Sequence, residues 1–123
     1  MLAELGELQQ AARILVEATR REASAQTARH NLGVLLSRRP PIGVVDDIRE
    51  EVATLEEGPL LNSLGMYELT AGRLDDAERH FTRAAEADPV SAAPRANLAI
   101  VAHHRGRLQD AVEGLADAAL LDP

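Results

Sequence analysis

The chain is 123 residues long and 46% hydrophobic, but it has one Phe, one Tyr and no Trp. It is about one domain in length, and its core must come from Ala, Leu, Val and Ile, which favours close helix-on-helix packing over a sandwich or barrel. A formal net charge of −7, with all 13 basic residues Arg, opposes phosphate backbones and anionic membranes, while the lack of any Cys excludes disulfides, thiol nucleophiles and Cys-based zinc sites.

Apolar residues at helical spacing predict seven helices, over 4–21, 25–38, 44–57, 59–71, 74–87, 92–105 and 108–121. The opening segment MLAELGELQQ lacks the charged-then-apolar pattern of a leader. No apolar run approaches the roughly 18 residues that cross a bilayer, so a soluble, cytoplasmic protein without membrane insertion is expected. Within the first helix, Gly6-Glu7-Leu8-Gln9-Gln10-Ala11 has the form of the later Gly72-Arg73-Leu74-Asp75-Asp76-Ala77. Ser24 is a candidate N-cap for the second helix, which carries Leu32, Leu35 and Leu36 on one face and is broken by Pro40-Pro41. The third helix places Ile48, Val52 and Leu55 on its packing face. Gly58-Pro59 opens the fourth, with Pro early in the first turn, and Ser91 is a candidate cap for the sixth. Gly72 and Gly106 are expected to end helices in the left-handed conformation. Asp46-Asp47 and Asp75-Asp76 are read as acids at helix starts, favoured by the positive end of the helix dipole.

The last four helices carry one pattern written twice. Leu64-Gly65, Gly72-Arg73-Leu74, Asp76-Ala77, Phe81, Ala84-Ala85 and Asp88-Pro89 recur 34 residues later as Leu98-Ala99, Gly106-Arg107-Leu108, Asp110-Ala111, Leu115, Ala118-Ala119 and Asp122-Pro123. A fixed period of this size marks a stacked helical repeat, which builds an extended surface rather than a closed pocket. Upstream the pattern is looser: Asn31-Leu32-Gly33 matches Ser63-Leu64-Gly65 and Gly43-Val44-Val45-Asp46-Asp47-Ile48 matches the Gly72 segment, with a longer loop at Arg38-Arg39-Pro40-Pro41. The expected division is a second helix of a partial repeat over 1–23, a degenerate repeat over 24–57, and repeats over 58–91 and 92–123.

These residues resemble the tetratricopeptide repeat family: Leu-Gly in a first helix, Gly at the turn, Ala, a large apolar residue and Ala in the second helix, then Asp-Pro. The resemblance implies an all-α, right-handed superhelical stack of antiparallel helix pairs, an α-solenoid. It implies that Gly65, Ala77, Ala84 and Ala99 lie where helix backbones cross and that Phe81 fills the space between adjacent pairs. The sequence departs from the pattern at Tyr67, one residue before the family's usual aromatic position, where Glu68 stands.

The resemblance also implies function. First helices of the pairs line a concave groove that takes a peptide or a partner's helix. Carried over by position, the groove presents His30, Asn31 and Val34, then Asn62, Ser63, Met66 and Leu69, then Asn97, Ile100, His103 and His104. The amides of Asn31, Asn62 and Asn97 can donate to and accept from a peptide backbone, and Met66, Val34 and Ile100 supply apolar contact. The expected function is therefore a non-enzymatic protein-interaction scaffold with a protein or peptide partner, no cofactor and no nucleic acid. A receptor for chaperone tails is disfavoured, because that subtype's carboxylate clamp needs Lys and Asn where His30 and Val34 stand, and the chain has no Lys. Self-assembly through uncapped stack ends, at Leu120-Leu121 and the Met1–Leu5 segment, is a second reading. A third is a regulatory segment of a larger enzyme, since the abrupt ends suggest part of a longer chain. His103-His104 alone invites chemistry, but adjacent helical residues point about 100° apart and do not readily chelate one metal. His30 and His80 are read as surface residues.

Overall fold

The computed structural model describes residues 2–21 and 25–122. These form α1 (Leu2–Thr19), α2 (Ala25–Ser37), α3 (Ile42–Thr54), α4 (Gly58–Thr70), α5 (Leu74–Ala87), α6 (Ala92–His104) and α7 (Leu108–Leu121), with no strand among the described residues. The all-α expectation holds, and every helix end lies within three residues of its predicted place. Ser24 lies outside the described residues, as does Met1 of the N-terminal segment. The chain divides into two compact units, Met1–Leu55 and Glu56–Pro123.

In the first unit, α1 is the helix against which both α2 and α3 pack. Ala12, Val16, Ala28, Leu32, Leu36, Val44, Val45, Ile48 and Val52 are buried. Three polar links tie α1 and the residue that follows it to α3 at a constant separation of 34 residues: Gln9 Nε2 donates to the Gly43 carbonyl at 3.5 Å, Arg13 forms a two-pronged bond to Asp47 at 2.5 Å, and an Arg20 guanidinium nitrogen donates to Thr54 Oγ1 at 3.2 Å. The partner number rises with the donor number, so α1 and α3 run parallel and side by side. Pro41, without a donor, stands at the N-cap of α3 and sets its start at Ile42. That start corrects the reading of Asp46-Asp47: the first turn of α3 holds no acid, and Asp47 serves as the acceptor for Arg13 rather than for the helix dipole.

The second unit is two hairpins, α4–α5 and α6–α7, joined by packing of α6 on α5 and α4. Both hairpin turns use glycine with a positive φ, +81° at Gly72 and +75° at Gly106. Arg73 N–H donates to the Glu68 carbonyl at 2.8 Å and Gly72 N–H to Leu69 at 3.1 Å; Arg107 and Gly106 repeat this on Ala102 and His103 at 2.9 and 3.0 Å. These are paired Schellman closures, which satisfy carbonyls that a helix end otherwise leaves bare. Asp75 and Asp76 occupy the first turn of α5 as expected. Ser91 occupies the N-cap of α6, but its side chain makes no capping bond.

Small residues set the helix spacing. Ala77, Phe81 and Ala84 are fully buried, and Ala77, Phe81 and Val101 form a cluster joined by Leu69 and Leu98. Phe81 thus fills the space between hairpins, against Gly65: a Cβ at position 65 would fall 2.6 Å from its ring. In the second copy the Gly65 position is Ala99, whose Cβ lies 3.0 Å from where a Cβ on Gly114 would stand.

His80 is not a surface residue. It is 2% exposed, and its Nδ1 lies 2.5 Å from Oε1 of Glu68, itself 1% exposed. Glu68 shares the buried stripe of Leu61 and Leu64 on α4, and His80 shares that of Ala77 and Ala84 on α5. The imidazole meets one oxygen of the carboxylate inside the hairpin, so the position where the family usually has an aromatic ring holds half of a buried polar pair.

Candidate functional site

The predicted groove residues fall in both units. His30 and Asn31 are exposed and Val34 half-buried on α2 of the first unit. In the second unit, α4 carries Asn62, Ser63, Met66 and Leu69, and α6 carries Asn97, Ile100, His103 and His104.

The second-unit residues meet through one bond. Asn97 Nδ2 donates to Asn62 Oδ1 at 2.9 Å, joining the first helices of the two hairpins. Asn62, Met66 and Thr70 follow one another at four-residue spacing, and the Asn62 amide approaches the Met66 sulfur at 3.7 Å. Asn97, Ile100 and His104 form the matching stripe on α6 by helical spacing. Met66, Thr70, Ile100 and His104 are exposed, and Asn62 and Asn97 are half-buried between them. The surface is therefore a hydrogen-bonded amide pair flanked by flexible or branched apolar side chains. Because Asn97 Nδ2 is engaged, Asn97 Oδ1 is the group of this pair best placed to accept from a partner's backbone N–H.

One predicted position differs in character. Leu69 turns into the core against Ala77, Phe81 and Val101. His103 and His104 are both exposed in the last turn of α6, with ring centroids 6.2 Å apart at an interplanar angle of 62°. Thr70 joins the α4 stripe, and its register with Asn62 and Met66 was the available sequence signal. Among the described residues no group of three or more His, Cys, Asp or Glu side chains could hold a metal ion. No helix among them is long and apolar enough to cross a membrane.

A charged network links the α6–α7 turn to α5. Arg105 pairs with Asp75 and, at 3.4 Å, with Glu78, while Arg107 lies 3.9 Å from Glu78. The hydrogen bond to Asp75 raises the Arg105 pKa further above its ordinary value. Beside this network lies a cleft of about 190 Å³ lined by Leu98, Ala99, Val101, Ala102 and Gly114. Ala102 and Gly114 are the 34-residue counterparts of Glu68 and His80, so the cleft opens where the preceding hairpin holds its buried pair.

A family model for the tetratricopeptide repeat matches residues 62–123, from within α4 through α7. The chain belongs to the tetratricopeptide repeat family. Both hairpins of the second unit, with their glycine turns and small-residue crossings, lie almost wholly inside the matched stretch. Tetratricopeptide repeats generally mediate protein–protein interaction. No significant match emerged among curated proteins.

Proposed function

We propose that the chain is a non-enzymatic interaction module which receives an extended peptide or a helix of a partner protein on the α4/α6 face of its second unit. The observation that carries this reading is the Asn97–Asn62 bond with Met66 and Ile100 exposed beside it. A bonded amide pair loses little side-chain freedom when a partner arrives, and amides recognise a peptide backbone whatever its sequence. Met66 and Ile100 supply the apolar contact, with methionine adapting to different side chains. The tetratricopeptide fold supports the same use, because its first helices stand side by side.

The test is recovery of partners from a lysate by the immobilised chain, followed by titration of the recovered partner against variants. Asn97→Ala paired with Met66→Ala is expected to weaken binding at least tenfold while the helical circular dichroism stays unchanged. Equal affinity in this variant, with loss of binding on changing exposed α5 or α7 residues instead, would move the site off this face.

A further inference from the structure

The cleft beside the α6–α7 turn plays no part in the amide face. Its floor is Leu98, Ala99, Val101, Ala102 and Gly114, with Ala99 and Val101 buried. Ala102 stands about 160° around α6 from Ile100, so the cleft and the α4/α6 face lie on different sides of that helix. The space exists because the two hairpins are unequal. Glu68 and His80 fill the equivalent volume of α4–α5 with a carboxylate and an imidazole, whereas Ala102 contributes one methyl group and Gly114 no side chain. Ala99 holds position 114 to glycine, since a Cβ there would fall 3.0 Å from its own. The resulting room, about 190 Å³, is comparable with cavities that hold a benzene-sized group and lies below the usual pockets for larger ligands. It therefore fits a single side chain. Its walls are α5, α6 and α7 together, and Asp110 and Gly114 each stand about 160° around α7 from Val112. Val112 is the counterpart of Glu78, on the side of α5 that meets α6 through Arg105, so a helix laid on α7 as α6 is laid on α5 leaves the cleft open.

The mouth of the cleft is charged, and unevenly so. Arg105 is engaged by Asp75 and Glu78, and Arg107 by Glu78. Asp110 lines the mouth from the first turn of α7, is exposed, and makes no ion pair among the described residues. Three carboxylates thus meet two guanidinium groups, on a chain of net charge −7. An anionic occupant opposes both the local excess and the field of the whole chain, and a neutral one leaves Asp110 unused. We infer that the cleft receives a Lys or Arg side chain of a partner protein, its methylene stem against Ala99, Ala102 and Gly114 and its cationic head at Asp110. Long basic side chains bury the stem along apolar surface while the head stays in water, which suits an apolar floor beneath an exposed carboxylate. The acidic chain also attracts a basic partner from a distance. One such side chain, about seven non-hydrogen atoms, binds with a dissociation constant on the order of millimolar, so the cleft selects and orients a partner more than it holds one.

Amide NMR titration of the intact chain with n-propylguanidinium and n-butylammonium, the Arg and Lys side chains cut free, tests this up to about 50 mM. n-Butanol and butyrate serve as the neutral and anionic controls, all at constant ionic strength. The expected result is saturable shifts at Ala99, Ala102 and Gly114 for both cations, about threefold weaker binding of butanol, as for an exposed ion pair, and none of butyrate. Asp110→Asn keeps the shape of the side chain without its charge and is expected to bring the cations to the level of butanol. Ala102→Leu fills the cleft and is expected to abolish binding of every probe; if circular dichroism shows that it fails to fold, Asp110→Asn, at an exposed position, still decides. Acetyl-Gly-Arg-Gly-amide is expected to bind at least as well as propylguanidinium. Absence of saturable shifts at the lining overturns the inference, as does equal binding of butanol or butyrate, or a preference for cations that survives Asp110→Asn. Binding of propylguanidinium without the tripeptide would make a free organic cation the occupant and overturn the partner's side chain. The Asn97→Ala, Met66→Ala variant is expected to bind these probes like the parent, so failure here and failure of the α4/α6 reading are told apart.

Discussion

Gly65→Ala is the perturbation that most directly tests how α4 and α5 are spaced. The added Cβ would stand 2.6 Å from Phe81 Cε1, 2.7 Å from Cδ1 and 3.1 Å from Cζ. The ring is rigid and fully buried, so it has no solvent to move into. Overpacking of this kind costs about 1 to 3 kcal/mol, while replacing glycine by alanine inside a helix returns about 1 kcal/mol. The expected net loss is about 0 to 2 kcal/mol. In the second copy, Ala99 stands at the Gly65 position and Leu115 at the Phe81 position. Phe81→Leu alone is expected to cost about 1 kcal/mol through lost burial. The double variant is expected to be at least about 1 kcal/mol more stable than the sum of the two single changes, a coupling within the range for residues in contact. Urea unfolding can be followed by the fluorescence of Tyr67, the single Tyr in a chain without Trp, which reports from α4 itself. Strict additivity, or a stabilising Gly65→Ala, would refute the argument that Phe81 dictates glycine at position 65. Gly33→Ala is the control: nothing lies within 4 Å of its added Cβ, and it should stabilise the first unit slightly.

Two further outcomes follow from the polar pairs. Glu68→Leu leaves the His80 imidazole buried without its carboxylate and is expected to cost about 2 to 4 kcal/mol in the same unfolding assay; adding His80→Leu should recover most of the loss, because removing both polar ends removes the desolvation penalty. In the first unit, the bond from Arg13 holds the Asp47 carboxyl below its ordinary pKa of 3.8. A depressed folded value means that the contribution is complete above the unfolded pKa and disappears as pH falls through the folded one. Parent and Asp47→Asn chains should therefore differ in stability at pH 7 and converge below pH 3.8, measured by circular dichroism in urea, and a constant difference across that range would show that the pair does not titrate with folding.

Much of the fold was legible because its signals are local. Leu61 and Leu64, or Ala77, Phe81 and Ala84, declare a helix face by spacing alone. Gly72 and Gly106 stand where only a residue without Cβ closes the turn at low cost. The division of the first unit was harder to read, because its loops depart from the period even though the side-chain links from α1 to α3 keep the 34-residue interval. The Asp46-Asp47 reading failed over two residues of helix start, since Pro41 accepts the N-cap role. His80 looked like a surface group because it is polar, and its complementarity with Glu68 spans a turn that no local pattern crosses. Their places on apolar stripes were the available clue. The α4/α6 face was legible as a set of positions, but the bond between Asn62 and Asn97 depends on how closely two helices approach, which small residues elsewhere decide.

The Glu68–His80 pair also works as an address. Near-identical hairpins in one chain invite exchange of partners during folding, α4 closing on α7 or α6 on α5, a failure to which repeat proteins are prone. Such an exchange would set Glu68 against Gly114, or His80 against Ala102, and each polar group would be shut away from water without its counterpart. Only the α4–α5 combination brings acid and imidazole together, so one buried pair, present in a single copy, marks which second helix belongs to which first.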